Sequence, residues 1–450
     1  MPTTRRKFLG ALGLSLAAPA LLAQNDNDSE PELVYSLPSL QCPKSDSITV
    51  VWAVGQPAIG FVQPAAGFVQ YGTDKANLDR TAYGDVFGLN AYHRRLLQIR
   101  LNDLEPNTRY YYRTVTRSFD FVNSYVFEQG EPEYGKIYSF ETPGPDKPSG
   151  TFSVINDTHN NPAILRALGE RLSKIGSDYT VWNGDLANSF TDENAAVDTI
   201  LKPGGGAFST EKPLLYVPGN HDYRGEWARN LSLCLATWEQ SQTPEMMPQW
   251  GDPLPNQVDT YINPSVGRNF VVRMGPVALI GLDTGEDKPD NRAEWAGLAS
   301  FEPYRVRQRD WLARALRSDL VASAPFVVAF CHIPLFDSRP DANGGDLPTG
   351  YASYQRQASD LWGPLLTQNG VQAVVCAHTH RHRYDAPTED RPWAQIVGGG
   401  SNLERDVTVI HGKADGDKLE IIVDSVSTDA ELGRWTFAPR GRRTVAPRAG

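Results

Sequence analysis

Five short clusters in this chain carry oxygen and imidazole donors, and each follows an apolar run: Asp157-Thr158-His159, Gly184-Asp185, Gly219-Asn220-His221-Asp222, His332, and His378-Thr379-His380. Singly, each is the composition of an ordinary turn. Together they hold or adjoin six of the chain's eight histidines, whereas histidines with structural duties would not track the ends of apolar runs. An i, i+2 spacing on an extended segment lets Asp157 and His159 face one centre, and the same spacing lets His378 and His380 address two adjacent ions. Carboxylate, amide and imidazole donors without a thiolate favour Mn, Fe or Zn over softer metals. Asp185 is the natural bridge between two such ions, because a carboxylate offers two oxygens.

The elements that must position these clusters are strands. From Thr151 onward apolar runs alternate with helical stretches, the pattern of a layered α/β domain. Strands are expected at Thr151–Asn156, Tyr179–Asn183, Leu214–Val217, Val277–Leu282, Phe326–Phe330 and Val371–Cys376, with helices at Ala163–Lys174 and Arg305–Leu316. In such a sheet, ligands converge outside the carboxyl ends of the strands, so five clusters become one site. Residues 31–145 read differently, as short alternating strands separated by turn residues, and predict an all-β sandwich. Within it, Leu104 to Tyr112 resembles the tyrosine corner of fibronectin type III domains. Pro143–Gly150 has the Pro and Gly density of a linker or a sharp boundary.

The ordered motifs Asp-x-His, Gly-Asp, Gly-Asn-His-Asp, His and His-x-His, spread over Phe152 to Tyr384, resemble those of the calcineurin-like metallophosphoesterases. The resemblance implies a four-layer αββα domain over residues 150–430. It also implies two metal sites sharing one ligand, with Asp157, His159, Asp185 and His380 on one ion and Asp185, Asn220, His332 and His378 on the other. A sandwich preceding this domain is similar to the layout of purple acid phosphatases. Those enzymes carry a ferric-binding Tyr three residues after the bridging Asp, where this chain has Asn188, and they lack a His at position 159. The first site is therefore expected to be of the non-purple type. Ala377 stands where Gly usually precedes the paired histidines, and the Gly-Asp-x-x-Asp-Arg-Gly of protein phosphatases is absent.

Two ions roughly 3.5–4 Å apart would convert a bridging water to hydroxide and neutralise phosphoryl oxygens during in-line attack. Asn220 and His221 are the expected substrate contacts, with His221 as proton donor to the leaving oxygen and Asp222 orienting or charging its imidazole. A purely structural role for His221 is the other reading. Arg381 and His382 touch phosphate in one reading and lie on an exposed loop in the other. A small phosphoester is the expected substrate, in the first reading a monoester. A diester, including a cyclic nucleotide or lipid headgroup, and a non-catalytic binding protein on the same fold remain alternatives. Loops Ser241–Pro264 and Phe336–Tyr354 are expected to roof the site.

A formal charge of -10 and a pI near 5.4 argue against a nucleic-acid binder, which needs basic surface to displace counterions. Residues 1–23, with Arg5-Arg6-Lys7-Phe8-Leu9 ahead of an apolar stretch too short to span a membrane, resemble a twin-arginine signal read by that export machinery. An ordinary secretory signal or an uncleaved anchor are the other readings, and a periplasmic or secreted body is expected. Cys331 and Cys376 read as small buried hydrophobes or as a bridged pair. Residues 438–450 read as a flexible basic tail.

Overall fold

The computed structural model describes residues 33–55, 64–86, 88–238, 266–336 and 351–441. The signal-like segment 1–23, the loop Ser241–Pro264 and residues 442–450 lie outside them, as does most of the loop Phe336–Tyr354. The end of that last stretch is not loop: from Tyr351 the chain enters a helix that runs to Gln368.

Two sheets pack face to face. The first runs in the order Glu431–Phe437, Leu419–Ser425, Thr408–Ala414, Gly150–Ile155, Tyr179–Asn183, Leu214–Val217. The second runs Phe270–Met274, Val277–Gly281, Phe326–Phe330, Ala373–Cys376, Ala394–Val397, Arg383–Asp385. The second sheet's central strands Val277–Gly281, Phe326–Phe330 and Ala373–Cys376 are apolar throughout because both of their faces are covered. Val328, Phe330 and Val375 join the core between the sheets. Their neighbours Val327, Ala329 and Val374 point the other way, onto Trp311, Leu312, Trp362 and Leu366 of the helices Phe301–Ala315 and Tyr351–Gln368. On the outer face of the first sheet lies the helix Pro162–Ile175, burying Ile164, Leu165 and Leu168. Its start is written in Asn161, whose side chain accepts from Ala163 N and Ile164 N, and its stop in left-handed Gly176. The result is the αββα order.

The N-terminal module is a β-sandwich, but it is not suspended on a linker. Its strands Ser39–Lys44, Ser47–Ala53 and Leu96–Leu101 continue the first sheet, joined through a parallel pairing of Gln41 with Leu214. The facing sheet is built on the long strand Arg109–Asn123, paired with Ala65–Gly72 and Tyr138–Glu141. Trp52, Ile99, Val69, Tyr110, Tyr112 and Phe140 fill the space between. The tyrosine corner is present: Glu105 N–H donates to the Tyr110 hydroxyl at 3.0 Å. The Pro143–Gly150 segment is itself packed, with Gly275 N–H donating to Gly144 O at 2.8 Å.

Cys331 and Cys376 are free thiols, their sulfurs 3.6 Å apart on the outer face of the second sheet. Part of the segment expected to be a flexible tail, residues 438–441, lies among the described residues. Arg440 is anchored, its main-chain N–H donating to Pro325 O and its guanidinium to the carbonyls of Val321, Ala324 and Asn369. No helix among the described residues is long and apolar enough to cross a membrane.

Candidate metal centre

All five clusters meet at one end of the two sheets. Asp157 and His159 follow the strand Gly150–Ile155, Asp185 follows Tyr179–Asn183, and Asn220 follows Leu214–Val217. His332 and His378 follow Phe326–Phe330 and Ala373–Cys376. One donor atom each from Asp157, His159, Asp185 and His380 falls within 4.8 Å of the others, and so do donors from Asp185, His332 and His378. Asp185 belongs to both groups.

The backbone that delivers these donors departs from the extended segment expected. Asp157 (φ 47°), His159 (φ 46°), Asp185 (φ 52°), His378 (φ 69°) and His380 (φ 53°) are all left-handed. Such a conformation costs a non-glycine residue about 1–3 kcal/mol and persists only where the surroundings enforce it. Here they do. Asp157 N–H and His159 N–H donate to Gly184 O and Asp185 O, each at 3.1 Å, and His378 N–H donates to Asp157 Oδ2 at 3.0 Å. The loops can close this tightly because of two glycines. A Cβ on Gly184 would lie 2.3 Å from His332 Nδ1, and one on Gly219 would lie 2.3 Å from both the Asp185 N and its Oδ1.

Second contacts fix which ring nitrogen faces inward. His332 Nδ1–H donates to Asn183 O (2.8 Å), so Nε2 is directed at Asp185 Oδ2, 3.2 Å away. His159 Nδ1–H donates to Asn188 Oδ1 (2.9 Å), directing Nε2 toward His380 Nε2 at 3.0 Å. His378 Nδ1 lies 2.9 Å from Asn220 Oδ1. Two nitrogens at 3.0 Å, and a buried Asp157 Oδ1 and His332 Nε2 that face neighbouring donors without an aligned hydrogen bond, are what a ligand shell leaves exposed toward a cation. The donor set fits two divalent ions.

Charge in the ion-free cluster is unevenly held. Burial works against a charged His332, yet the Asp185 carboxylate beside it raises its pKa to about 10. Burial and the charge of His332 push His378 down to about 4. Burial would raise Asp185, but His332 holds it well below the usual carboxylate range. At neutral pH His332 therefore carries on Nε2 a proton that an incoming ion must displace, whereas the His378 ring is neutral. The apparent metal affinity of ion-free protein should rise about tenfold per pH unit below the His332 pKa. Calorimetry in buffers of different ionisation enthalpy should read release of that proton, and an affinity independent of pH through neutrality would contradict the assignment.

Two expectations need correction. Asp222 does not orient His221: its Oδ1 accepts from Leu186 N (2.9 Å), and its Oδ2 from Gly219 N (2.9 Å) and the Tyr216 hydroxyl (3.0 Å). It braces the Asp185 loop against the Asn220 turn. His221 is set instead by Nδ1–H donation to Asn188 O at 2.9 Å. His382 turns away from the ligands, donating through Nδ1 to Val397 O (2.9 Å) and packing near Trp435. Arg381 is exposed on the same loop. The residues that sequence reasoning missed are Arg224, one step beyond the Asn220–Tyr223 turn, and Glu286 and Asp287. Arg224 Nη1 touches the His221 ring, while Asp287 Oδ2 lies 4.0 Å from His378 Nε2. Asp283-Thr284-Gly285-Glu286-Asp287 closes the strand Val277–Gly281, so the strand-end signal was there to find.

The αββα fold with this shared-carboxylate cluster defines a metal-dependent phosphoesterase. A family model of calcineurin-like phosphoesterases matches residues 150–382, and the model of the purple acid phosphatase N-terminal domain matches residues 38–142. The chain belongs to the calcineurin-like phosphoesterase family. Among solved structures it is similar to purple acid phosphatase PPD1 from yellow lupin (Lupinus luteus) seeds, at 14% identity and TM-score 0.56, with 89% of this chain and 74% of that one covered. It is similar also to PhoD, at 13% identity and TM-score 0.56, with 91% and 90% covered. These likenesses concern the fold. No curated protein matches the chain.

Asn188 now has a structural reading: its side chain holds His159 and its carbonyl holds His221. An amide gives no phenolate-to-iron transition. Tyr223 is engaged with Asp283, and Tyr384 stacks on Trp435 at 4.3 Å, so neither takes the vacated role. Iron-loaded protein is expected to show no purple phenolate band, and a strong one in its visible spectrum would overturn this ligand set.

Proposed function

We propose that this chain is an exported phosphomonoesterase working with two divalent transition-metal ions, Mn, Fe or Zn. The observation that carries the reading is the position of Asp185, common to the Asp157/His159/His380 group and the His332/His378 group, with Asn220 beside the latter. When bound, two ions supply Lewis acidity toward phosphoryl oxygens and an acidified water as nucleophile. The chain's own groups do the rest. Asn220 and His221 lie in one short turn, where Asp185 Oδ1 accepts from His221 N at 2.9 Å. With Nδ1–H donating to Asn188 O, Nε2 is the ring atom left to deliver a proton to a departing alkoxide. Export rests on Arg5-Arg6-Lys7-Phe8-Leu9 and the apolar stretch after it, and places the mature protein in the periplasm or outside the cell.

Metal-loaded protein assayed on a panel of monoesters and diesters, at several pH values and with each metal, tests the reading. Monoesters are expected to turn over faster, and a consistent diester preference would replace it. Retention of an Arg5→Lys, Arg6→Lys double variant inside the cell would be the sign of twin-arginine export.

A further inference from the structure

We propose that Arg224 is the phosphoryl-binding cation of this site and the residue that favours a dianionic monoester over a monoanionic diester. The inference rests on the monoesterase reading and gives it a specificity determinant.

Arg224 leaves the turn that carries Asn220 and His221, so its side chain starts beside both. The guanidinium is held from behind. Nε donates to Glu286 Oε2 (3.1 Å) and Nη2 to Glu286 Oε1 (2.9 Å), a two-pronged pair with a carboxylate that is fully buried. Nη2 also reaches Asp287 Oδ1 at 3.4 Å. The Glu286 loop is rigid in turn, because buried Arg305 donates to Thr284 O (2.8 Å) and Glu286 O (2.7 Å). Carboxylates thus occupy the Nε and Nη2 side of the fork and leave Nη1 facing the site.

Nη1 lies 3.2 Å from His221 Nδ1 and 3.0 Å from His221 Nε2. Similar distances to both nitrogens place it over the face of the ring, since the in-plane direction of Nδ1 is taken by Asn188 O. A phosphoryl group whose leaving oxygen meets His221 Nε2 presents a neighbouring oxygen to Nη1. In a monoester that oxygen carries charge, and in a diester the second ester group competes for the space. A guanidinium fixed as a fork before substrate arrives donates without reorganising, which a flexible ammonium cannot match.

The test uses metal-loaded protein, with p-nitrophenyl phosphate, an alkyl phosphate, bis-p-nitrophenyl phosphate and inorganic phosphate as probes. Arg224→Ala is expected to lower kcat/KM on the monoesters by about 100-fold and on the diester by less than about 10-fold, as fits a lost charge-assisted contact. Inhibition by inorganic phosphate should weaken by about 10-fold or more. Metal content and the ratio of rates on good and poor leaving groups should stay as in wild type. Arg224→Lys should fall between, and Glu286→Gln should raise KM for monoesters more than it lowers kcat. Because Arg224→Ala strands a buried carboxylate, the double variant Arg224→Ala, Glu286→Gln provides the same readouts if the single variant does not fold. Equal losses on monoester and diester with unchanged phosphate inhibition would overturn the proposal. So would a changed leaving-group ratio, which would make Arg224 a positioning residue for His221. If wild type hydrolyses diesters alone, the monoesterase reading fails, and the phosphate-inhibition shift still decides whether Arg224 binds phosphoryl oxygen.

Discussion

Asp185→Ala is expected to purify without either ion, where wild type carries about two per chain. This carboxylate is the ligand that the two groups share: His332 Nε2 lies 3.2 Å and His159 Nε2 3.8 Å from Asp185 Oδ2. Its loss opens both shells together and leaves His332 buried without the anion that holds its proton. Turnover should fall by on the order of a thousandfold or more, because Lewis acidity and nucleophile are lost in one step. Asp185→Asn keeps the volume and the acceptor for His221 N, and so separates loss of charge from loss of packing. Elemental analysis and circular dichroism on the same samples decide it. A folded Asp185→Ala protein that retains one ion would mean two independent sites in place of a bridged pair.

The clustering of these donors was legible because a strand buried on both faces leaves a short, unbroken apolar run, and in such a domain polar donors have one place to gather, just past its end. Phe326–Phe330 followed by His332 shows the signal at its plainest. Direction was not legible. Asp222 adjoins His221 in sequence, but the turn at Asn220–Tyr223 rotates successive side chains apart, and the carboxylate serves main-chain N–H groups. Arg224 and Glu286 were missed for a related reason: the pair joins loops 62 residues apart, and although Glu286 lies just past a strand end, nothing local marks it as the partner of Arg224. Likewise the union of the two domains in one sheet depends on the single register pair Gln41 to Leu214, a long-range fact that strand periodicity cannot contain. The left-handed ligands are the sharpest departure. Local propensity opposes φ near +50° at Asp157 and His159, and the ladder to Gly184 and Asp185, with the His378 N–H on Asp157, enforces it.

His221→Ala is expected to keep both ions and lose turnover on alkyl phosphates by on the order of a hundredfold or more, the size of effect associated with a positioned proton donor. Among its described contacts, the imidazole is met at Nδ1 by Asn188 O and over its face by Arg224, and its ring centre sits 4.9 Å from that of the metal-competent His159. It belongs to neither ligand group, so its removal opens no shell. The loss should shrink on p-nitrophenyl phosphate, whose leaving group departs as a stable anion and needs little protonation. Asp222→Asn separates this role from simple proximity. Its carboxylate bonds to Leu186 N, Gly219 N and Tyr216, so the variant should lower thermal stability while leaving the alkyl-to-nitrophenyl rate ratio as in wild type. Rate ratios across a leaving-group series for wild type and the two variants measure the difference. Equal damage from His221→Ala on good and poor leaving groups would return His221 to a structural role.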